Sequence, residues 1–173
     1  MIARGALLAG VMAMAGTAVA QGPAPAPDTD WPTYNADLAG SRYRPLEQIN
    51  ASNFNDLEVA WRFKTDSIGT RPEYKLEGTP LAVNGKIYAT AGTRRGVVAL
   101  DGQTGELLWV HSMAEGKRGA ASPRALSGRG LSYWTDGTQE RILYVTIGYQ
   151  LVSIDAKTGQ RDPNFGNGGV VDL

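Results

Sequence analysis

Arg129 stands between two glycines in SGRGLSYW, Glu77 precedes a glycine in KLEGTP, and Thr146 closes the apolar run ILYVTIG. His111, the only histidine, follows a tryptophan in ELLWVH. A guanidinium offers a planar fork of donors that matches a carboxylate bidentately, and flanking glycines such as Gly128 and Gly130 allow backbone to approach a ligand closely. A glutamate can accept a hydrogen bond from a polar ring system, but it repels a ligand carboxylate unless an arginine intervenes. A threonine hydroxyl donates or accepts. Taken singly these residues also read as a solvated loop arginine, a surface charge ahead of a strand and an ordinary strand threonine, and a lone histidine at a strand end reads as structural.

Short strands must position them. From Trp31 onward the apolar residues fall in groups of four to six, alternating or β-branched, with Gly, Asn or Asp between them. LEVAWRF (57–63), TPLAVNGKIYATA (79–91), GVVALD (96–101), ELLWVH (106–111), RILYVTIG (141–148) and QLVSID (150–155) read as strands. Asn84-Gly85 predicts a two-residue hairpin turn, because both residues tolerate positive φ. No amphipathic segment of useful length has helical period; NASNFNDL (50–57) predicts a single helical turn capped by Asn50 or Ser52. The chain reads as all-β.

One turn occurs twice. DGQTG at 101–105 and DAKTG at 155–159 lie 54 residues apart at both the Asp and the Gly, and the apolar pattern before each is similar. In D-x-x-T-G the Asp and Thr side chains bond nearby amides while Gly takes the left-handed position. A fixed period of about 50 residues with short strands predicts one blade of a β-propeller per repeat, with Trp109 filling the gap to the next blade and Trp61 as its equivalent one blade earlier. Pro163 stands where the following tryptophan is expected. Two unrelated hairpins in a sandwich are the alternative.

The chain has 173 residues with 17 basic and 17 acidic side chains and no cysteine, which gives no electrostatic support for nucleic-acid binding and no disulfide framework. Residues 1–20 pair one early arginine with a short apolar run and end in Ala18-Val19-Ala20, the pattern of a secretory signal peptide; a membrane anchor is the alternative. Residues 21–30 read as a Pro/Ala-rich tether and 31–173 as the folded part. The expected localisation is the periplasm, with no membrane span after signal cleavage, and the missing cysteine excludes a lipoprotein anchor.

WPTYNADLAGSRYRPLEQIN, AWRF, EGTPLAVNGKIYAT, ALDGQTGELLW, SGRGLSYW and LVSIDAKTGQRDPNFGNGGVVDL, in that order, resemble the amino-terminal part of quinoprotein dehydrogenases. D-x-x-T-G-x-x-x-W resembles their tryptophan-docking motif, and FGNGGVVDL with RGLSYW is most similar to the branch of membrane-type glucose dehydrogenase and its soluble periplasmic relatives. The resemblance implies an eight-bladed propeller, of which this chain holds about two to three blades as an amino-terminal fragment, inactive alone and with unpaired blade edges. It implies pyrroloquinoline quinone (PQQ) and Ca²⁺ as cofactors, an alcohol or sugar (aldose or polyol) as substrate, and a membrane quinone or cytochrome c as electron acceptor. Hydride would pass to the quinone while an aspartate takes the proton.

By the same resemblance Arg129 corresponds to a cofactor-contacting arginine, Glu77 to a glutamate near the cofactor edge and Thr146 to a threonine that hydrogen-bonds PQQ. The calcium ligands and the catalytic aspartate are expected beyond Leu173. In the methanol dehydrogenase branch two adjacent cysteines precede the arginine; Pro123 and Arg124 stand there in this chain, which favours the sugar or polyol branch and leaves Arg124 as a candidate to stack on the cofactor. Trp134 reads as core. The rival functional readings are a non-catalytic propeller scaffold of the outer-membrane assembly type and a sugar-binding propeller without redox chemistry.

Overall fold

The structure, a computed structural model, describes residues 29–65, 68–69, 75–125 and 127–173. The predicted leader and most of the tether lie outside the described residues. Strands β1 (Lys75–Leu76), β2 (Leu81–Val83), β3 (Lys86–Ala91), β4 (Gly96–Asp101) and β5 (Leu107–His111) come first. A short helix α1 (Gly116–Ala120) leads to β6 (Ser127–Gly128), β7 (Ser132–Thr135), β8 (Glu140–Val145), β9 (Gln150–Asp155) and β10 (Val170–Asp172). Two antiparallel four-stranded meanders result, β2-β3-β4-β5 and β7-β8-β9-β10, and they are consecutive propeller blades. A parallel β1–β6 pair joins them where the first strand of each blade begins.

Both predicted turn types form as chemistry requires. Asn84 (φ 50°) and Gly85 (φ 73°) close the β2–β3 hairpin with two left-handed residues. After β4 the Asp101 carboxylate accepts the amides of Gln103 and Thr104 and the Thr104 hydroxyl, and Asp155 repeats these bonds with Lys157 and Thr158. These amides hold the exposed Asp101 carboxyl below its ordinary value.

The core lies between the blades. Tyr88, Val97 and Ala99 of the first blade pack against Ile142, Tyr144 and Ile154 of the second. On the other face of β4, Val98 and Leu100 meet Trp61 and Phe63. GVVALD is continuously apolar because both of its faces are covered. Trp109 crosses the interblade gap: its indole N–H donates to Ala156 O (3.2 Å) and its ring lies on Gly159, where a Cβ would stand 2.7 Å from the ring. Trp61 makes the same contact one blade earlier, donating to Gly102 O (3.1 Å) with its ring on Gly105.

Four local expectations are corrected. LEVAWRF has no ladder partner among the described residues and runs as irregular chain, held by Trp61 and Phe63 rather than by sheet pairing. The helical turn over 50–57 is a 3₁₀ turn at Phe54–Asp56 whose cap residue is Asn53, without a side-chain cap bond; the Asn50 carboxamide oxygen is occupied by Ser52. The strand over 141–148 ends at Val145, because Thr146 to Gly148 turn into Tyr149 at φ 61°. Trp134 is not core: it is 41% exposed, with Arg141 stacked over its ring at 4.7 Å. The fourth strand of the second blade arrives late, after the excursion that contains Pro163.

Candidate functional site

The meander order sorts the loops to two ends. The D-x-x-T-G turns and Asn84-Gly85 share one end; residues 77–80, 92–95, 112–125, 127–131 and 146–149 share the other, where β2 and β7 begin. Every sequence-predicted site residue lies at that second end, so the repeated turn is structural and the polar chemistry sits opposite it.

Glu77 and Arg129 form an ion pair there. The parallel register sets Lys75 beside Ser127 and Leu76 beside Gly128, so the next residues outward are Glu77 and Arg129. Their side chains are 36% and 29% exposed, which leaves part of each facing solvent. Lys75 also reaches Glu77, at 3.1 Å. The Glu77 carboxylate is thus met by two cations, Arg129 and Lys75.

The Arg129 backbone is held as closely as its side chain. The Thr90 hydroxyl, at the end of β3 in the preceding blade, donates to Arg129 O at 3.0 Å. Gly78 lies against the same carbonyl: a Cβ there would stand 2.5 Å from Arg129 O. The Cβ position of Gly130 faces open space, whereas Gly78 admits the Arg129 carbonyl. Gly78, Thr79, Pro80, Ala89, Thr90 and Arg129 line a cleft of about 80 Å³.

Thr146 is not brought to this pair. It is buried, its hydroxyl donates to the Glu115 carboxylate at 2.5 Å, and it accepts the Gln150 amide at 3.1 Å. Glu115 also takes the Gly148 amide at 2.9 Å. Arg118, in α1, donates to the carbonyls of Gly148 and Tyr149 and pairs with Asp172, whose carboxyl it holds below the ordinary range. From the first blade, buried Arg95 donates to Val145 O (3.0 Å), Thr146 O (3.2 Å) and Arg124 O (3.4 Å). Arg95 and Glu115 thus clasp the long connection between the blades, and no sequence motif singles out either of them. The Arg124 side chain is exposed, and its part in this network is its carbonyl.

His111 sits between the blades. A carbonyl only accepts, so Nδ1 carries the proton that it donates to Gly159 O (2.9 Å), and Nε2 is the bare nitrogen, buried without a hydrogen-bond partner among the described residues. Its ring meets Tyr144 edge-on at 5.9 Å. No group of three or more His, Cys, Asp or Glu suited to a metal ion occurs among the described residues.

Residues 31–173 match the family model described as the β-propeller domain of PQQ-linked glucose, ethanol and alcohol dehydrogenases. The chain belongs to the PQQ dehydrogenase propeller family. It is 35% identical over 132 residues to the dehydrogenase subunit of a quinone alcohol dehydrogenase of Gluconobacter oxydans (strain 621H), covering 76% of this chain and 16% of that protein. It is 34% identical over 163 residues to a quinoprotein glucose dehydrogenase of the same organism, covering 85% and 20%. A europium-containing methanol dehydrogenase superposes with a TM-score of 0.63 at 27% identity, over 78% of this chain and 22% of that one. The PQQ propeller chain thus spans about a fifth of the length of these relatives.

Proposed function

We propose that this chain is the amino-terminal portion of a PQQ-dependent dehydrogenase that oxidises an alcohol or a sugar, acting in the periplasm after removal of residues 1–20. The observation that carries the reading is the Glu77–Arg129 pair, set at the site end of two blades of a family propeller and still partly open to solvent. PQQ is a planar tricarboxylate quinone, and the donor set fits it: a guanidinium for a carboxylate, with an acceptor beside it for the polar ring edge. When bound, the quinone supplies two-electron acceptance from the substrate carbon. Arg129 anchors and orients that group; Glu77 holds the guanidinium and keeps its fork turned toward the rim. Thr146 takes a supporting role, holding Glu115 and hence the interblade connection. Ca²⁺ is assigned to residues outside this chain, and the electron acceptor is a membrane quinone or a cytochrome c.

The test is equilibrium titration of the full-length apoprotein with PQQ, in parallel with dye reduction driven by sugars and alcohols. Arg129→Ala is expected to weaken PQQ binding by about ten- to a hundredfold, the scale of one lost charge-assisted contact. Unchanged affinity in that variant would remove Arg129 from the site. A full-length protein that binds no PQQ while remaining folded would support the non-catalytic scaffold instead.

A further inference from the structure

We propose that Thr90 is a positioning residue for Arg129, setting the guanidinium through the backbone rather than touching the cofactor; the proposal rests on Arg129 being the cofactor-anchoring arginine. Alternation along β3 places Tyr88 and Thr90 on the face turned toward the second blade, and Ile87 and Ala89 on the other. Tyr88 is the apolar member of that face: it packs in the interblade core and reaches Ala156 O at 3.1 Å. Thr90, one step closer to the site end, is 8% exposed and is where that core gives way to the polar rim.

A valine would suit the core side of this position as well as threonine does. What the hydroxyl adds is one hydrogen bond, to Arg129 O in the neighbouring blade. That carbonyl lies against Gly78, whose missing side chain admits it. The residue that carries the functional cation is thus pinned from one side by Thr90 and given room on the other by Gly78. With the bond lost, Ser127 and Gly128 keep their pairing with β1 but the Arg129 peptide can rotate, and the guanidinium at the end of a long side chain moves farther than the peptide itself. Small misplacement of an orienting group has a large effect on binding.

The decisive variant is Thr90→Val in the full-length protein, read by two measurements on the apoprotein: the urea unfolding midpoint and the dissociation constant for added PQQ. The expected result is a modestly lowered midpoint, as for one lost hydrogen bond in the folded protein, together with PQQ affinity lowered by about fivefold. Thr90→Ser should restore affinity, since it keeps the hydroxyl. In an Arg129→Ala background Thr90→Val should have no further effect on PQQ binding. Equal losses in both backgrounds, or no loss in the single variant, would overturn the proposal. If Arg129→Ala alone leaves affinity unchanged, the reading of Arg129 fails first, and the two failures are distinguishable. Should Thr90→Val prove too unstable to titrate, Gly78→Ala, which crowds the same carbonyl, must reproduce the affinity loss or the proposal fails.

Discussion

The Glu77 carboxylate pairs with the Arg129 guanidinium across the boundary between two blades, 52 residues apart in sequence and one step beyond a two-residue parallel ladder. Nothing in either local segment demands the pair. The β1–β6 register creates it, by carrying each blade's entry segment to the same height.

Glu77→Gln separates the pair's two duties. Both side chains are about a third exposed, so solvent screens their attraction and the variant is expected to lose less than about 1 kcal/mol in urea unfolding. PQQ affinity should fall less than in Arg129→Ala, because the cation is kept and only its tether is lost. A larger loss for Glu77→Gln than for Arg129→Ala would mean that the glutamate, not the arginine, is the main cofactor contact.

The docked tryptophans give a stability test remote from the site. Gly159 has φ 71° and a Trp109 ring within 2.7 Å of its Cβ position, so Gly159→Ala meets both backbone strain and a clash. An expected cost of about 2–4 kcal/mol follows from overpacking with a left-handed alanine. Gly137→Ala, also at positive φ but with open space around it, should cost about 1 kcal/mol. Equal costs at the two positions would mean that the ring contact contributes nothing.

Much of this was legible because the repeat is written twice. D-x-x-T-G fixes a turn by its own side chains, and its 54-residue step, with Trp61 standing 48 residues before Trp109, announces blades before any long-range contact is known. Glu77 and Arg129 were legible as chemical types, carried by the resemblance. Thr146 was legible only as a strand threonine with a hydroxyl; its bond to the distant Glu115, beside the chain reversal at Tyr149, was not. Arg95 and Glu115 were invisible because their partners, backbone groups and the Thr146 hydroxyl, lie about 30 to 50 residues away, which no local pattern specifies. α1 is too short to show a period.

Thr146→Val tests that reassignment. Losing the hydroxyl removes a bond to the Glu115 carboxylate and leaves the Gln150 amide without its side-chain acceptor. The expected cost is about 1–3 kcal/mol in unfolding, the scale of disturbing a buried polar group bonded to a charge. PQQ affinity, measured under conditions where the variant is fully folded, should change by less than about threefold, within the context-dependence of one uncharged contact. A tenfold loss of affinity with unchanged stability would return Thr146 to the cofactor site.

His111 makes the blade interface sensitive to acid. Burial pushes its pKa below the ordinary 6.5, and nearby Arg161 acts in the same direction, while the Gly159 carbonyl opposes them. In the folded protein the imidazole stays neutral at pH values where the unfolded chain already binds a proton. The unfolded state therefore gains protons first as pH falls, and folding stability, fully present above about 6.5, is lost as pH drops toward the lowered folded value. His111→Phe keeps a ring against Tyr144 and cannot titrate, so its unfolding midpoint should fall less steeply between pH 7.5 and 5.5 than that of the parent protein. At pH 7.5 the variant should be the weaker of the two, since it loses the bond to Gly159. Parallel pH profiles for the two proteins would show that some other group sets the acid sensitivity.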